Sequence, residues 1–548
     1  MAKKPKGEKL KNDSLITGDI TFGDGKDHIL NFGQIDGSIY FEGGDDKLDN
    51  HGVINGDVFG GEGRDHVHNL GEINGVVHMD GGTRDFVHNN PGATITGSSG
   101  IILTGVDGRV LNQGVIESTG FALGSVNGDA GVSIRGGSGN TITNHGSIFS
   151  NGEGIEVSLV FDPGSGLFVE SAFNTHVVNT GEIIAQLNDG VRLAGGGTIV
   201  NSGYIEAVGE VGFASDGVSA FTSTQNFIDG DHVAELRNSG VILGERSGAA
   251  FSGGAVVDNS GLIEGASTGL FIQNATPSDP GVAIAVINNS GTIRGDDAPT
   301  PPNFTFIDGI GVSLGGGPGF ARLEVTNSGL IEGATHGVHS VDALVGVFIE
   351  NKSQGVIRGD FDNDGFGDAI QTRGSLNGPD LGGATNDTVL NKGLIEGNIV
   401  LGYEADLLDN SGTVDGDVDM GDGDDAVIND GTVTGTVELG AGNDSFEGGS
   451  SDETVSGGDG DDVISAGKGD DVLAGGSGDD IFAFVKHGGS NSIQDFEDGP
   501  DLIDLTALNT AFGDLDIQET GGHSVITFGD LEIVVESVTG LGAEDFIF

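Results

Sequence analysis

The chain has 548 residues, of which 84 are acidic, 22 are basic and 104 are glycine, so its formal net charge is −62. This charge argues against a nucleic acid partner, and the absence of cysteine excludes disulfides and thiol chemistry. The sequence has no apolar run long enough to span a bilayer.

Residues 1–11, MAKKPKGEKLK, form a basic tail. The tail lacks the apolar segment of a signal peptide, so any export signal would lie elsewhere in the chain. Two roles are open for its lysines. They could keep the first strand that follows from pairing edge to edge with other strands. Alternatively, they could dock on the acidic surface of another copy, which would give head-to-tail self-association.

Residues 12–89 repeat with a period of nineteen residues. Each repeat contains an asparagine, three short apolar stretches and a glycine-rich turn that ends in aspartate. One repeat cannot bury its apolar face alone, so the pattern predicts the stacked coils of a solenoid, with parallel strands about 4.8 Å apart. The asparagines are Asn12, Asn31, Asn50 and Asn69, and the turn aspartates are Asp27, Asp46, Asp65 and Asp85.

Residues 90–390 keep the asparagine and lose the fixed period. Because the interval between asparagines varies, this part predicts a solenoid with loops inserted on one side. Stacked asparagines at a coil corner can bond the backbone of neighbouring coils, so we expect a structural role for them. They are Asn112, Asn144, Asn179, Asn201, Asn238, Asn259, Asn289, Asn327 and Asn351.

Residues 360–371, DFDNDGFGDAIQ, follow the first half of an EF-hand calcium loop. Asp360, Asp362 and Asp364 occupy the first three ligand positions, but Gln371 stands where the EF-hand has glutamate. No helical pattern flanks the segment. Two interpretations are open, an isolated calcium loop and a solvated acidic loop.

Residues 391–438 return to regular coils, and residues 439–483 then form five consecutive nonapeptides. The nonapeptides approach G-G-x-G-x-D-x-U-x, where U is a large apolar residue, although the second has Ser451 and Glu453 in place of glycine and aspartate. From Asp444, the matching aspartates lie nineteen residues apart upstream and eighteen apart downstream, which predicts one continuous edge of turns. The turn residues of the nonapeptides are Gly442, Asp444, Gly457, Gly458, Gly460, Asp462, Gly469, Asp471, Gly475, Gly476, Gly478 and Asp480.

This tandem segment resembles the calcium-binding β-roll of RTX proteins, and the resemblance extends over residues 439–548. It implies that the turn aspartates supply carboxylate oxygens to Ca²⁺, a hard cation that prefers oxygen ligands. The turn glycines would permit positive φ and direct carbonyl oxygens toward the ion. The same turn occurs in the regular coils, so Asp27, Asp46, Asp65, Asp85, Asp406 and Asp425 are further predicted calcium ligands.

Residues 484–548 differ in character from the repeats. Residues 491–508 resemble the segment that closes RTX rolls, and residues 524–535 predict a β-hairpin with Gly529 and Asp530 at its turn. The last residues, AEDFIF, resemble the uncleaved C-terminal signal of bacterial type I secretion. We therefore predict a β-rich cap that carries the secretion signal, and a protein that is extracellular or on the cell surface.

Motifs of the enzymes that carry RTX rolls are missing or incomplete. A zinc protease needs His-Glu-x-x-His, but neither His336 nor His339 has a neighbouring glutamate. Residues 164–166, GSG, lack the G-x-S-x-G frame of a lipase. Residues 161–163, FDP, match only part of the Tyr-Gly-Phe-Asp-Pro-His motif of the alginate epimerases.

The predicted fold class is all-β: a right-handed parallel β-helix (solenoid) that continues into an RTX calcium β-roll with a β-rich C-terminal cap. The predicted function is that of a secreted, calcium-binding structural or adhesive protein, a scaffold of the cell surface, surface layer or matrix that folds on calcium binding outside the cell. The alternative is a polysaccharide-modifying enzyme, similar to an alginate epimerase or lyase, with a site among the central loops. Besides calcium, cell-surface polysaccharide is a predicted partner.

Overall fold

The computed structural model describes residues 7–120, 129–162, 167–170, 174–209, 215–221, 234–252, 254–273, 283–296, 309–315, 321–340, 346–359, 367–372 and 386–548. The chain divides into two compact units. Unit 1 comprises residues 1–285 and 291–306, and unit 2 comprises residues 286–290 and 307–548. Over the described ranges, the regular structure consists of β-strands and three short 3-10 helices.

One N-terminal coil shows how the sequence produces three faces. Strand His28–Asn31 is followed by Gln34–Asp36 and Ile39–Tyr40, and each pairs in parallel with the equivalent strand of the next coil. Successive side chains of a strand point to opposite faces, so the isoleucine within each strand points inward and is fully buried. These columns stack from coil to coil as one apolar core. We name the three sheets A, B and C in that order.

In unit 1, the strands of all three sheets pair in parallel. Sheet A contains Lys9–Asn12, His28–Asn31, Lys47–Asn50, His66–Asn69, Phe86–Asn89, Arg109–Asn112, Thr141–Asn144, Thr175–Asn179, Gly197–Asn201, Ala234–Asn238 and Ala255–Asn259. Sheet B contains Leu15–Thr17, Gln34–Asp36, Val53–Ile54, Glu72–Asn74, Thr94–Gly97, Val115–Ser118, Ser147–Ser150, Glu182–Ala185, Tyr204–Ala207, Val241–Gly244, Leu262–Gly265 and Thr292–Gly295. Sheet C contains Ile20–Thr21, Ile39–Tyr40, Val58–Phe59, Val77–Met79, Ile101–Leu103, Val132–Ile134, Ile155–Val157, Val191–Ala194, Val218–Phe221, Ser247–Ser252 and Thr268–Gln273. Gly43–Gly44 and Glu62–Gly63 pair within the turns.

Unit 2 has the same three-sheet coil, and strand Ala283–Asn289 is divided between the units. Its sheet A contains Ala321–Asn327, Val347–Asn351, Thr388–Asn391, Leu407–Asn410, Ala426–Asn429, Ser445–Gly448, Val463–Gly467, Ile481–Phe484, Leu502–Asp504 and Phe546–Ile547. Its sheet B contains Leu330–Gly333, Val356–Arg358, Leu394–Glu396, Thr413–Asp415 and Thr432–Val433. Its sheet C contains Ile310–Gly315, His336–Ser340, Asp368–Gln371, Asn398–Val400, Val418–Asp419, Thr436–Ala441, Thr454–Asp459, Val472–Ser477, Ser490–Ile493, Asp516–Thr520, His523–Phe528 and Leu531–Val535. Each unit is thus a parallel β-solenoid, as predicted.

The asparagine of each coil lies at the corner between sheets A and B. Asn12 Nδ2 donates to Asn31 Oδ1 at 2.8 Å, and Asn31 Nδ2 donates to the Val53 carbonyl of a later coil at 3.3 Å. Asn31 Oδ1 also accepts the backbone N–H of Gly33 at 3.2 Å. The side-chain amide therefore replaces backbone bonds that the turn interrupts, which confirms its structural role.

The long connections of the central coils all adjoin sheet C. Residues 119–131 join sheet B to sheet C, and residues 158–174 join sheet C to sheet A. The second connection includes an antiparallel pair, Leu159–Asp162 with Leu167–Glu170. The corner between sheets A and B stays short, because Asn144 is followed at Ser147 by the next strand. The insertions therefore flank the two ends of the sheet C strands.

The roll keeps sheets A and C and loses sheet B. Thr432–Val433 is the last strand of sheet B in the described part of unit 2. Beyond it, strands of sheets C and A alternate, beginning with Thr436–Ala441 and Ser445–Gly448. At Asp444 the spacing between stacked turn residues falls from 19 to 18 residues. Each coil now consists of two nonapeptides, so it has a glycine- and aspartate-rich turn at both ends.

Residues 484–548 close the roll with strands. Leu531–Val535 pairs in parallel with Ser490–Ile493 and antiparallel with His523–Phe528, and Phe528 lies opposite Leu531. The predicted hairpin is therefore confirmed, and Asp516–Thr520 extends it by one antiparallel strand. The 3-10 helices are Thr506–Leu508, Phe512–Asp514 and Ala543–Asp545. No helix in the described ranges has the length and apolar character to cross a membrane.

Candidate calcium centre

The turn aspartates form a hydrogen-bonded column along the edge where sheet C leads into sheet A. In unit 1, the backbone N–H of Asp27 donates to Asp46 Oδ1 at 2.7 Å, and that of Asp46 donates to Asp65 Oδ1 at 2.9 Å. Asp65 N–H donates to Asp85 Oδ1 at 2.9 Å. Each carboxylate is buried, and its Oδ1 accepts a backbone N–H from the preceding coil. We call this set the N-terminal ladder.

Unit 2 has a longer column, which we call the C-terminal ladder. The N–H of Asp406 donates to Asp425 Oδ1 at 2.6 Å, and the same bond continues from Asp425 to Asp444 at 2.7 Å. It continues through Asp462 to Asp480, with lengths of 2.8 and 3.0 Å. The edge predicted from the spacing is therefore continuous across the change from the nineteen-residue coil to the roll.

The second oxygen of most ladder carboxylates is buried without a hydrogen-bond partner. A buried carboxylate oxygen without a partner is costly, because it has lost water and gained nothing in exchange. A cation between successive turns would remove that cost. The atoms are the Oδ2 atoms of Asp46, Asp65, Asp406, Asp425, Asp444, Asp462 and Asp480, and Asp471 Oδ2, outside the two ladders, is buried in the same way.

The glycines of each turn bring backbone close to these oxygens. Gly476 has a φ of +105°, and a side chain there would place its Cβ 2.0 Å from the Gly458 carbonyl oxygen of the preceding coil. At Gly475, a Cβ would lie 2.1 Å from Asp480 Oδ2. A side chain at either position of the Gly-Gly pair would therefore displace the Gly458 carbonyl or the Asp480 carboxylate. Gly457 repeats the second contact with Asp462, and positive φ recurs at Gly442, Gly458, Gly460, Gly469 and Gly478.

Burial makes these carboxylates poor acids in the absence of a cation. Burial, with a smaller contribution from neighbouring ladder charges, raises the pKa of Asp406 to about 8 and the pKa values of Asp425 and Asp462 to about 7. In unit 1, burial raises the pKa of Asp65 to about 7 and the pKa of Asp46 to about 6. Without a cation the folded ladder therefore retains protons near neutral pH, and its carboxylates become fully anionic only when a positive charge compensates them.

These residues fit calcium. The ladder carboxylates have unpartnered oxygens and, within the described ranges, none of them forms an ion pair with a basic side chain. No three His, Cys, Asp or Glu side chains of the described residues could hold a metal by themselves. In each ladder, every coil contributes one carboxylate. Backbone carbonyls of the glycine turns would supply the other ligands, because Ca²⁺ binds carbonyl oxygens as well as carboxylates. Bound calcium would neutralise the column and cross-link successive coils.

The roll has a second edge, which continues the line of the asparagine corner. Acidic side chains take the place of the asparagines there and form a second column. Glu453, in the degenerate nonapeptide, donates its N–H to Asp471 Oδ1 at 2.9 Å, and Asp471 N–H donates to Asn491 Oδ1 at 3.1 Å. The Glu453 carboxylate accepts Asn429 Nδ2 at 3.1 Å and leaves Oε2 buried without a partner. Glu453 therefore takes the place of the expected aspartate in the column.

The C-terminal ladder extends at both ends beyond the residues that the sequence pattern selected. Asp387 donates its N–H to Asp406 Oδ1 at 2.7 Å, and Asp480 N–H donates to Asp501 Oδ1 at 3.0 Å. The sequence signal for Asp387 was its spacing of 19 residues from Asp406 together with the segment GGATND at 382–387, which matches the nonapeptide motif except that Thr385 stands at the fourth place, where the motif has glycine. Asp495 accepts the N–H groups of Gly475 and Gly476 at 2.9 and 3.0 Å and so closes the last turn.

Other predicted sites stand apart from the ladders. Asp360, Asp362 and Asp364 of the EF-hand-like loop lie outside the described residues. His336 and His339 are buried on strand His336–Ser340, with ring centroids 4.7 Å apart. Burial lowers the pKa of His336 to about 4, so its imidazole is neutral at physiological pH.

The two ladders differ in the residue that precedes each aspartate. In unit 2, carboxylate or amide oxygens at this position accept the N–H of the next coil, as in the 2.9 Å bonds from Asn443 N to Asp424 Oδ1 and from Asp461 N to Asn443 Oδ1. In unit 1 the position is mostly basic. Lys26 pairs with Asp45, and Arg64 Nη2 lies 3.6 Å from Asp45 Oδ2. The N-terminal turns therefore carry positive charge beside the predicted ions.

A family model for the RTX calcium-binding nonapeptide repeat, in four copies, matches residues 436–464 and 447–482. No curated protein matches the chain. The fold and the turns together define an RTX-type β-solenoid protein, and RTX nonapeptide repeats bind calcium ions. The matched residues contain the part of the C-terminal ladder from Asp444 to Asp480 and the second column from Glu453 to Asp471.

We expect the N-terminal ladder to bind calcium more weakly than the C-terminal ladder. Asp46→Asn with Asp65→Asn keeps the ladder hydrogen bonds and removes two charges, and Asp462→Asn with Asp480→Asn is the matched pair. Calorimetric titration should show that the first pair removes weak sites and the second removes sites at least about fivefold tighter, because a basic side chain near an ion opposes binding by about 1 kcal/mol or more. An unchanged stoichiometry in the first pair would show that the N-terminal turns only resemble calcium sites.

The stability of calcium-free protein should fall as pH rises. The folded ladder has raised pKa values, up to about 8 at Asp406, so it retains protons that unfolded aspartate loses near pH 4. Stability from this source is fully present below the unfolded pKa and is lost as pH passes through the folded values. Thermal melting after calcium removal should therefore occur at higher temperature at about pH 5.5 than at about pH 8. Saturating calcium should abolish this trend, and a melting temperature that rises with pH in both samples would contradict it.

Proposed function

We propose that the chain is an extracellular structural or adhesive protein whose roll folds when it binds calcium outside the cell. The observation that carries this proposal is the column of buried, unpartnered carboxylate oxygens in unit 2. Where calcium is scarce, as in the cytosol, such a column repels itself and keeps the chain unfolded. Where calcium is abundant, binding and folding are one equilibrium.

Type I secretion suits this switch, and RTX repeats are typical of proteins exported by that route. In the folded protein the predicted signal is part of a sheet, because strand Phe546–Ile547 pairs with Leu502–Asp504 and the Phe546 side chain is buried. An exporter could therefore read the signal only in the unfolded chain. A low-calcium cytosol would keep the signal exposed until export.

The export proposal is tested in a bacterial host that expresses a type I exporter. We expect the parent chain in the medium and a chain without residues 543–548 in the cell. Phe482→Ala is the control, because it damages the buried core of the roll and leaves the signal intact, so it should still be exported. Equal export of the parent and the truncated chain would contradict the proposed signal.

The structural or adhesive role predicts that calcium-loaded protein attaches to cells. Stacked solenoid coils form broad surfaces of the kind that repeat proteins use for binding. Purified, labelled protein is added to washed producer cells with millimolar calcium or with calcium removed, and the bound fraction is measured after centrifugation. We expect retention with calcium only. A protein that folds on calcium and stays in the supernatant would rule out the adhesive role.

We propose head-to-tail association of copies as part of this role. The first strand, Lys9–Asn12, begins within the predicted basic tail and pairs with His28–Asn31 on one side only in the described residues. Lys11 Nζ lies 2.7 Å from Asp13 and 5.4 Å from the ring centre of Phe32, so the basic side chains sit at a strand edge.

Lys9→Gln with Lys11→Gln separates the docking role from the protective role of these lysines. If the lysines dock on the acidic surface of another copy, the variant should lose the higher-order species that the parent forms. Light scattering in millimolar calcium measures these species. If they guard the edge, the variant should aggregate more than the parent. A parent that stays monomeric at all concentrations would remove the association proposal.

A further inference from the structure

We propose that His336, His339 and Gln371 in unit 2 form a second kind of metal site, which takes one divalent transition metal ion such as Zn²⁺. The donor atoms are two imidazole nitrogens and one amide oxygen. All three side chains lie on neighbouring strands of sheet C, within the described residues. This inference goes beyond the proposed function and uses none of the calcium-ladder residues.

Strand register brings the three side chains together from two successive coils. Strand His336–Ser340 pairs in parallel with Asp368–Gln371, and His339 lies directly opposite Gln371. The two imidazole rings have centroids 4.7 Å apart, and the Gln371 side chain lies beside both rings. Zn²⁺ binds imidazole nitrogen at about 2.0–2.1 Å, so two imidazoles on one ion must be close neighbours, as these rings are.

The protein does not satisfy the donor atoms of this cluster. Nδ1 of His336, Nδ1 of His339 and Oε1 of Gln371 are each buried without a hydrogen-bond partner. Both histidines are buried residues. Buried polar atoms of native proteins are nearly always bonded, so three neighbouring exceptions point to a bound group that contacts all of them.

The number of acceptor atoms distinguishes a cation from a water molecule. An unprotonated imidazole nitrogen and an amide oxygen are acceptors, and one water molecule has two hydrogens to donate. A water would therefore leave one of the three atoms unsatisfied, whereas one cation binds lone pairs from all three. If either Nδ1 carried a proton, it could bond to Oε1 of Gln371, but neither Nδ1 does so.

Asp368 supplies the outer bonds that orient the metal ligands. Its Oδ2 lies 3.9 Å from Nε2 of His336. The same oxygen accepts Gln371 Nε2 at 3.2 Å, and Oδ1 accepts Asn398 Nδ2 at 3.3 Å. A carboxylate beside Nε2 favours the tautomer that has its proton there, which leaves Nδ1 of His336 for the ion. The amide of Gln371 is oriented in the same way, because its nitrogen faces Asp368 and its oxygen stays free.

The donor set selects the class of metal. Imidazole nitrogen suits Zn²⁺, Ni²⁺ and Cu²⁺, whereas Ca²⁺ and Mg²⁺ prefer oxygen ligands. Asp368 stays outside the coordination sphere, which agrees with the absence of any metal-holding group of three His, Cys, Asp or Glu side chains in the described ranges. Two nitrogens and one oxygen leave the fourth position of a tetrahedral ion open for water.

Burial of the donors does not prevent the ion from entering, because metal sites of this kind form as the chain folds. The cluster also lies near the surface, since the His336 side chain is 11% exposed and the Asp368 side chain is 19% exposed. A bound ion would join two successive coils through their side chains, as calcium is proposed to do in the ladders.

The test is refolding of the full chain, without an affinity tag, in saturating calcium and Zn²⁺, followed by titration with a competing zinc chelator. We expect one tight Zn²⁺ in the parent and at least about tenfold weaker binding in His339→Leu, because loss of even an outer-shell partner costs about 10–100-fold. His487→Leu is the matched control, because His487 lies in an exposed pair with Asp530 and should leave the tight site intact. Melting curves in calcium check the fold of each variant.

A measurement on the parent alone removes the dependence on variants. Zinc-edge anomalous scattering from crystals loaded with one equivalent of Zn²⁺ should place the ion within bonding distance of both Nδ1 atoms. Zinc found only at surface side chains, no retained zinc, or equal affinity in the folded His339→Leu variant would overturn the proposal. A chain that folds on calcium and holds no zinc loses this inference only, whereas a chain that ignores calcium loses the proposed folding switch.

Discussion

Removal of calcium is expected to unfold the roll and the adjoining coils of unit 2. The C-terminal ladder buries a row of carboxylates whose Oδ2 atoms have no partner, so without a cation desolvation and mutual repulsion oppose folding. Each site that is saturated at a hundred times its Kd contributes about 2.7 kcal/mol, and successive sites add to a large part of the stability of one domain. Circular dichroism during a calcium titration should show a cooperative gain of β signal.

Hydrogen exchange should locate the effect. We expect residues 387–483 to lose protection on calcium removal before the described residues between 90 and 372, which contain none of the ladder aspartates and whose coils are held by asparagine corners. Mg²⁺ is the control ion, because its preference for six close ligands and retained waters does not suit a carbonyl-lined turn. A calcium-free sample with the full β signal and an unchanged melting temperature would contradict calcium-dependent folding.

Gly476→Ala is expected to disrupt the roll even when calcium is present. The residue has a φ of +105°, and the new Cβ would lie 2.0 Å from the Gly458 carbonyl oxygen. The backbone strain alone costs on the order of 1–3 kcal/mol, and relief of the clash would displace the carbonyl from the turn. Thermal melting in calcium should therefore fall, and the calcium concentration needed for folding should rise.

Gly513→Ala is the matched control in the cap. A Cβ at Gly513 meets no atom within 4 Å, so the melting temperature and the calcium midpoint should stay close to those of the parent. Equal behaviour of the two variants would show that the close stacking of turns at Gly476 has little energetic weight.

The regular spacing of the sequence determined much of the fold. In a solenoid each coil contacts its neighbours, so residues one period apart become direct contacts. Asn12 and Asn31 are joined by a side-chain hydrogen bond for this reason, and so are the turns of Asp406 and Asp425. The asparagine corner tolerates variable spacing, because the extra residues enter beside sheet C and leave the corner intact.

Features at the ends of the repeats were less visible in the sequence. Asp387 belongs to the C-terminal ladder by its spacing, but Thr385 stands where most of the other turns have the fourth-position glycine. The first strand is Lys9–Asn12, so it begins within the segment 1–11 that the sequence marked as a basic tail before the first coil. The loss of sheet B in the roll follows from packing, because a coil of two nonapeptides has length for only two strands and two turns.

Only the tertiary structure brought Gln371 to His336 and His339. Gln371 and His339 lie in successive irregular coils, so no fixed period connects them, and in the sequence Gln371 marked only a departure from the EF-hand pattern. Their proximity depends on the register of the sheet C strands, which pairs His339 with Gln371. Repeated spacing thus determined the core and the calcium ladders, whereas strand register across irregular coils decided which polar side chains meet there.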